Sequence, residues 1–419
     1  MRIIHTSDWH LGQYFFTKSR AAEHEAFLDW LIERVLIHSV DAIIVAGDVF
    51  DTASPPSYAR ELYNQFIVKL QPTGCRLVVL GGNHDAVAVL NESRSLLACL
   101  NVDVIAGVAE DPSQSLLVLT NSADEPSALL CAVPFIRQRD IVTSQAGQSA
   151  EEKQQGMRAA IAAYYQHLYE LALEKREAIG RPLPIILTGH LTTVGASTSD
   201  SVREIYIGTL DAFPAQDFPP ADYIALGHIH RPQKVANSEY IRYSGSPIPL
   251  SFDEAGQEKS VVLVEFTPNE STSIELLPVP EFQPMRLISG DIDTVLNQLS
   301  SFDSHREELP TWLDIEVDTA LYLSDLQKRI QLMADTLPVD VLLLRRSKSM
   351  AHRHLVRQEK ETLSELTASD VFERRLAQEQ AQSPDENAAL RYPRLREMFN
   401  GILEDVRLER EQRAKEEIK

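Results

Sequence analysis

The sequence predicts an α/β protein built around a layered domain with buried strands. Three observations lead to this prediction. From residue 1 to about 280, short apolar runs rich in Ile, Val and Leu alternate with amphipathic stretches of helical length. Most of these runs lead into a loop that carries Asp, Asn or His, as strands of open α/β sheets do where ligands bind. The 419 residues, 44% of them hydrophobic and 24% charged, are enough for at least one full-sized core.

The first predicted domain, residues 1–280, begins with apolar strand candidates and ends with strand-like segments. The apolar runs lie at 2–6, 42–46, 77–80, 128–133, 185–188 and 223–226, and the later segments lie at 260–266 and 274–278. Prolines at 278, 280 and 284 indicate a domain boundary. Residues 281–346 then follow the order strand, helix, strand, helix, strand, which predicts a small α/β cap domain. Its elements are expected at 285–289, 293–299, 312–317, 323–337 and 339–344.

The last region, residues 347–419, loses strand character and is charged and helical. Its apolar residues recur at helical spacing and form one stripe, made of Leu395, Phe399, Ile402, Leu403 and Val406. A helix with such a stripe buries it either against its own domain or against a partner. The pattern alone leaves both alternatives open.

Charge and cysteine content exclude several classes of protein. The chain has 40 Lys and Arg against 61 Asp and Glu, and this net charge of −21 by itself argues against nucleic-acid binding. Three cysteines without a CxxC pair provide neither a disulfide framework nor a cysteine-rich zinc site, and they fit a reducing compartment. The N-terminus has no basic leader before an apolar segment, and the longest apolar run, 128–136, is interrupted by Pro134. We therefore expect a cytoplasmic protein.

Side chains that bind metals follow the first two strand candidates. Asp8 and His10 stand two residues apart after the run 2–6, so both point to one side, and both are ligands for a divalent ion. A capping Asp beside a surface His is the alternative for this pair alone. Asp48 follows the buried run 42–46, where a carboxylate is costly without a cation or hydrogen bonds. It also lies too early to cap the helix expected at 54–70.

Three further strand candidates end in the same way. The run 77–80 leads to Asn83, His84 and Asp85, which offer a neutral metal ligand, a proton donor and a carboxylate to orient the imidazole. A plain Gly-Asn turn is the alternative for this segment. The runs 185–188 and 223–226 lead to Gly189-His190 and Gly227-His228-Ile229-His230. The joint pattern, rather than any single block, predicts one shared site. We assign no role to His5, His24, His38, His167, His305, His352 and His354.

The order of these blocks, DxH, GDxxD, GNHD, GH and GHxH, resembles that of the calcineurin-like metallophosphoesterases. The surrounding segments, among them HTSDWHLGQ, GHLTTVGAS, ALGHIHRPQ and YSGSPIPLSFDE, resemble in particular the nuclease subunits of bacterial ATPase–nuclease complexes. This resemblance covers nearly the whole chain. It implies a layered α-β-β-α core with a small α/β cap domain and C-terminal helices.

The resemblance also implies two divalent metal ions, with Mn²⁺ favoured, although a mixed imidazole and carboxylate set would also bind Zn²⁺ or Fe²⁺. The implied ligands of the first ion are Asp8, His10, Asp48 and His230. Those of the second are Asp48, Asn83, His190 and His228. Asp48 would then bridge two ions about 3.5 to 4 Å apart, a spacing suited to in-line phosphodiester displacement. His84 is expected to act on the phosphate and leaving group, with Asp85 behind it.

A metal site of this kind predicts phosphoester hydrolysis but does not choose the substrate. The cap could restrict access to a polymer, and a basic run at 344–360 could contact DNA, although a solvated linker is its alternative. The resemblance implies a nucleoid-associated, ATP-dependent double-strand 3′–5′ exonuclease and single-strand and hairpin endonuclease in DNA repair, recombination and replication. Because the sequence has no GxxxxGK[ST] motif, ATP would act through a separate ATPase subunit. The C-terminal helices, with apolar residues at 363, 366, 371, 372 and 376, are the expected docking element.

Other functions remain open at this level. A small-molecule or cyclic-nucleotide phosphodiesterase would explain the metal-ligating residues, and a non-enzymatic scaffold would leave them without a purpose. Leu62, Tyr63 and Phe66 form an apolar helix face that suits either a homodimer or the core. The acidic balance does not exclude DNA, because some of the acids are expected metal ligands and two bound ions would add four positive charges.

Overall fold

The computed structural model describes residues 1–141, 149–199, 201–202, 212–268, 270–302, 309–318, 323–346 and 399. The chain divides into two compact units, Met1–Ser347 and Lys348–Lys419. Apart from Phe399, the predicted C-terminal stripe and the docking residues lie outside the described residues, as does the basic run beyond residue 346. The elements below belong to the first unit.

The described residues of this unit form both strands and helices. In chain order the strands are β1 (Arg2–Thr6), β2 (Tyr14–Phe15), β3 (Lys18–Ser19), β4 (Ala42–Val45), β5 (Arg76–Leu80), β6 (Val102–Ile105), β7 (Leu116–Thr120), β8 (Pro126–Cys131), β9 (Ile185–His190), β10 (Tyr223–Gly227), β11 (Gln233–Lys234), β12 (Ile241–Tyr243), β13 (Ser260–Glu265), β14 (Ser273–Pro278), β15 (Met285–Gly290), β16 (Thr311–Val317) and β17 (Val339–Arg346). The helices are α1 (Ala21–His38), α2 (Ser57–Leu70), α3 (Val87–Asn91), α4 (Arg94–Ala98), α5 (Gln138–Ile141), α6 (Ala150–Ile179), α7 (Ile292–Ser300) and α8 (Leu323–Ala334).

Two six-stranded sheets form the centre of the molecule. Their strand orders are β14-β13-β1-β4-β5-β6 and β11-β12-β10-β9-β8-β7. Strands β1, β4, β5 and β6 run parallel to one another, as do β8, β9, β10 and β12, so the carboxyl ends within each group lie at one edge. Most of these strands are buried on both faces, which explains why they read as continuous apolar runs.

Three apolar clusters show how the layers pack. Side chains of both sheets meet in a middle cluster that includes Ile44 and Ala225. Helices α1 and α2 cover the outer face of the first sheet, through residues such as Phe27 and Phe66. Helix α6 covers the second sheet, for example with Tyr165. The expected α-β-β-α layering is therefore confirmed.

The apolar face of α2 contributes to this packing. Tyr63 and Phe66 are buried in the outer cluster of the first sheet, and Leu62 packs against it. The core-facing interpretation of these three residues is therefore the one that the structure supports. They offer no independent argument for a homodimer.

The elements of residues 281–346 follow the predicted order. Strands β15, β16 and β17 form a parallel three-stranded sheet, and α7 and α8 pack on it through a cluster of residues such as Leu313 and Ile330. A small hairpin, β2–β3, reaches this sheet from the core. Its Phe15 stacks on Trp312 with the ring centroids 5.7 Å apart, and Lys18 pairs with Asp340 at 2.7 Å.

Candidate metal centre

Five loops that follow strands bring the predicted ligands together. Strands β1, β4 and β5 are neighbours in one sheet and present Asp8 and His10, Asp48, and Asn83 at their carboxyl ends. Strands β9 and β10 are neighbours in the other sheet and end at His190 and just before His228. Since parallel neighbours finish at the same edge, the topology alone places these residues close together.

The backbone of these loops is unusual. Asp8, His10, Asp48 and His228 all have positive φ angles, of 54°, 48°, 52° and 94°. Residues other than glycine rarely adopt this conformation, and when they do they cluster at functional sites. Hydrogen bonds between loops hold the strained segments, with Asp8 N donating to Gly47 O at 3.0 Å and His10 N donating to Asp48 O at 3.1 Å.

The candidate ligand atoms form three overlapping buried groups. Within each group all ligand atoms lie within 4.8 Å of one another. The groups are Asp8, His10 and His230; His10, Asp48 and His84; and Asp48, His190 and His228. Asp48 and His10 each belong to two of them, and Asp48 is the member that connects the group of His10 with the group of His190 and His228, as a residue shared between two ions would.

Asp48 lies at the centre of the cluster. Its Oδ2 is 3.2 Å from His190 Nε2 and 3.6 Å from His10 Nε2, and its Oδ1 accepts the His84 backbone N–H at 2.9 Å. Burial would raise the pKa of this carboxyl, but His190 and His10 hold it well below its usual range. The group is therefore an anion in a buried site, and it requires cations around it.

Asn83 joins the two histidines from the second sheet. Its Oδ1 lies 2.9 Å from His190 Nε2 and 3.1 Å from His228 Nδ1. Burial lowers the pKa of His190, but the Asp48 carboxylate outweighs it and raises this pKa to about 9. For His228, burial and the neighbouring His190 both lower the pKa, which falls well below its usual value.

Two histidine nitrogens in this cluster show that its residues fit metal ions. His10 Nε2 and His228 Nε2 are buried and have no hydrogen-bond partner among the described residues. A buried polar nitrogen without a partner is costly, and a divalent cation would satisfy it. The other ring nitrogen of His10 contacts Asp51 Oδ1 at 3.0 Å, the kind of carboxylate contact that orients metal-binding histidines.

Asp85 has different partners from those expected. The sequence predicts that it orients the His84 ring, but its carboxylate accepts the backbone N–H groups of Val49, Phe50 and Gly82 at 2.9 to 3.1 Å. His84 Nδ1 instead lies 2.6 Å from the carbonyl oxygen of Asp51. Asp85 thus fixes the two loops that carry Asp48 and Asn83, because a carboxylate can accept several N–H groups at once.

Comparisons with known proteins agree with this geometry. Residues 1–232 match the model of the calcineurin-like phosphoesterases. Residues 281–380 match a model described as the type 5 capsule protein repressor C-terminal domain. The chain is 59% identical over 380 residues to the SbcD subunit of the nuclease SbcCD from Escherichia coli K12, covering 91% of this chain and 94% of that protein.

The chain belongs to the SbcD family of calcineurin-like phosphoesterases. The same subunit from Rhodobacter capsulatus is 35% identical over 327 residues, or 74% of this chain and 78% of that protein. The Bacillus subtilis protein is 32% identical over 329 residues, or 77% and 81%. The resemblance drawn from the five sequence blocks is thereby confirmed. The chain is an enzyme of a family of metal-dependent hydrolases that binds two divalent ions.

Some residues around the site carry no signal in the sequence. Ser201 Oγ lies 2.6 Å from His230 Nδ1, and the buried carboxylate of Glu254 lies behind it. A serine in a loop and a glutamate between strands show no periodicity or motif that would single them out.

The predicted basic run begins with a cation that already has partners. Arg345 is paired with Asp314 at 2.7 Å and with Glu316 at 3.5 Å. Among the described residues, no helix is long and apolar enough to cross a membrane.

Proposed function

We propose that this chain is the nuclease subunit of an ATPase–nuclease complex and hydrolyses phosphodiester bonds in DNA. The observation that carries the proposal is the convergence of five ligand-bearing loops on Asp48, in a chain that matches a nuclease subunit over 91% of its length. The proposed activities are double-strand 3′–5′ exonuclease and hairpin endonuclease. An SbcC-type ATPase would bind the C-terminal helices and supply the ATP dependence.

The proposed ligand sets keep Asp48 in common. Asp8, His10 and His230 complete one set, and Asn83, His190 and His228 complete the other. Two divalent ions, with Mn²⁺ preferred, would supply Lewis-acid stabilisation of the phosphate and a water of lowered pKa. We propose that residues 1–280 form the nuclease domain, that 281–346 form a cap over the DNA path, and that 347–419 bind the partner.

His84 is the proposed acid toward the leaving oxygen. With a relative exposure of 8%, it is the most exposed of the five clustered histidines, so substrate reaches it most easily. The Asp51 carbonyl oxygen can only accept a hydrogen bond, so it holds the proton on His84 Nδ1 and leaves Nε2 as the nitrogen that exchanges a proton. Asp85 supports this arrangement through the backbone of the adjacent loops.

The test is cleavage of hairpin DNA and double-strand ends by the full chain, with and without the ATPase partner, ATP and Mn²⁺. His84→Ala should lower cleavage by about 10²- to 10⁴-fold, the usual contribution of a general acid, while Mn²⁺ binding persists. His167→Ala removes an exposed histidine of α6 and serves as the matched control. Turnover of an aryl phosphodiester without DNA cleavage in the complex would instead favour a small-molecule phosphodiesterase.

A further inference from the structure

Next to the proposed metal site lies a fully buried carboxylate that metal binding does not itself explain. Glu254 is 0% exposed, and its two oxygens are surrounded by donors at 2.6 to 3.3 Å. These donors are the hydroxyls of Ser199, Ser201, Ser246 and Ser251, the backbone N–H of Leu250 and the ammonium of Lys259. The ammonium of Lys259 lies 2.6 Å from Glu254 Oε2 and forms a buried ion pair with it, so the carboxylate acts only as an acceptor.

Ser201 connects this carboxylate to the ring of His230. Its Oγ lies 2.6 Å from Glu254 Oε1 and 2.6 Å from His230 Nδ1. A serine hydroxyl has one proton, and ionised Glu254 has none to give, so the Ser201 proton goes to Glu254. Ser201 Oγ must then accept from Nδ1–H of His230. This chain of hydrogen bonds leaves Nε2 of His230 without a proton and able to bind a cation.

Lys259 holds the backbone of the same histidine. Its ammonium donates to His230 O at 3.0 Å and to Glu254 Oε2 at 2.6 Å. Ring and backbone of His230 are thus tied to one buried pair of opposite charges. Because Lys259 balances Glu254, the arrangement orients the ring without adding net negative charge to the cluster.

We propose that Ser201 and Glu254 are positioning residues that hold His230 in the tautomer required for the ion bound with Asp8 and His10. This inference rests on the proposed metal site. It assigns the two residues no contact with the reacting atoms. Outer partners of metal-bound histidines contribute about 10- to 100-fold in metal affinity, which is the size of effect expected here.

The test is calorimetric Mn²⁺ titration of the full-length chain and its variants. Ser201→Ala should weaken one of the two Mn²⁺ sites about 10- to 100-fold and leave the other unchanged. Ser201→Thr, which keeps the hydroxyl, should restore the affinity. Ser199→Ala is the matched control. Ser199 donates to the same Glu254 oxygen at 2.7 Å, but it is one hydrogen bond further from His230, because its Oγ contacts Ser201 Oγ at 3.1 Å.

The control separates positioning from stability. Loss of cluster stability alone would lower the melting temperature of both serine variants and affect Mn²⁺ affinity equally in the two. Equal affinities in Ser199→Ala and Ser201→Ala would therefore overturn the inference while the metal site stands. If the wild-type chain binds no Mn²⁺, the proposed function fails, and the inference fails with it.

Discussion

Histidines whose pKa values are shifted in opposite directions should give the metal-free protein a maximum in unfolding free energy near pH 6.5. The pKa of His190 is about 9 against an ordinary 6.5, so between these values the folded state holds a proton that the unfolded state has released. Stability therefore falls as the pH rises from 6.5 to 9. Burial lowers the pKa of His5 and His24 to about 3, so between pH 6.5 and 3 only the unfolded state takes up these protons. Their contribution to the unfolding free energy is therefore lost as the pH falls from 6.5 toward 3.

The size of the loss of unfolding free energy at alkaline pH follows from the shift in the pKa of His190. A difference of one pKa unit corresponds to about 1.4 kcal/mol, so the shift from 6.5 to about 9 is worth about 3 kcal/mol of unfolding free energy. Burial lowers the pKa of His10, but the Asp51 and Asp48 carboxylates outweigh burial and raise it. His10 therefore also loses unfolding free energy as the pH rises. Bound Mn²⁺ should abolish the loss, because the ion replaces the proton on His190.

The assay is urea unfolding in EDTA at several pH values from 5 to 9, repeated with Mn²⁺. His190→Gln should flatten the decline above pH 6.5, and the exposed-site variant His167→Ala should keep it. A metal-free stability that stays constant or rises between pH 6.5 and 9 would refute the assignment of a proton kept on His190 by the Asp48 carboxylate.

Two substitutions test a close approach at the site and a buried ion pair at the start of α1. Gly82→Ala would place a Cβ against Asp48 Oδ1, closer than non-bonded atoms can approach. We therefore expect loss of Mn²⁺ binding and a decrease of about 1–3 kcal/mol in the free energy of unfolding. Unchanged Mn²⁺ binding in calorimetry would contradict the close approach. Arg20→Ala would leave Glu23 as an unpaired buried carboxylate, because the two side chains are only 0% and 6% exposed and lie 2.6 Å apart. It should cost about 3–5 kcal/mol in urea unfolding, and a loss below about 1 kcal/mol would show that the pair is dispensable.

The ligand loops could be predicted from the sequence because of the sheet topology. Parallel strands end at a common edge, so Asp48 after β4 and Asn83 after β5 had to lie near each other once both runs were recognised as neighbouring buried strands. The same holds for His190 and His228 after β9 and β10. Apolar periodicity and the residue types at strand ends carry this information directly.

The residues that support the ligands could not be found in this way. Ser201 comes from a loop and Glu254 from the short 3-10 helix Phe252–Glu254, and the two meet at His230 only through tertiary packing. The backbone partners of Asp85 could not be predicted for a related reason. Sequence proximity suggests the ring of His84, whereas the folded loops present three backbone N–H groups to the carboxylate. The short hairpin β2–β3, which contacts the β15–β17 sheet through Phe15 and Lys18, also lacks a long enough pattern to be recognised.

Whether two divalent ions share Asp48 is tested most directly by anomalous diffraction from crystals of the full chain grown with Mn²⁺. We expect two anomalous peaks, one among Asp8, His10 and His230 and one among Asn83, His190 and His228, both coordinated by the Asp48 carboxylate. A single peak, or two peaks that do not share this carboxylate, would contradict this expectation.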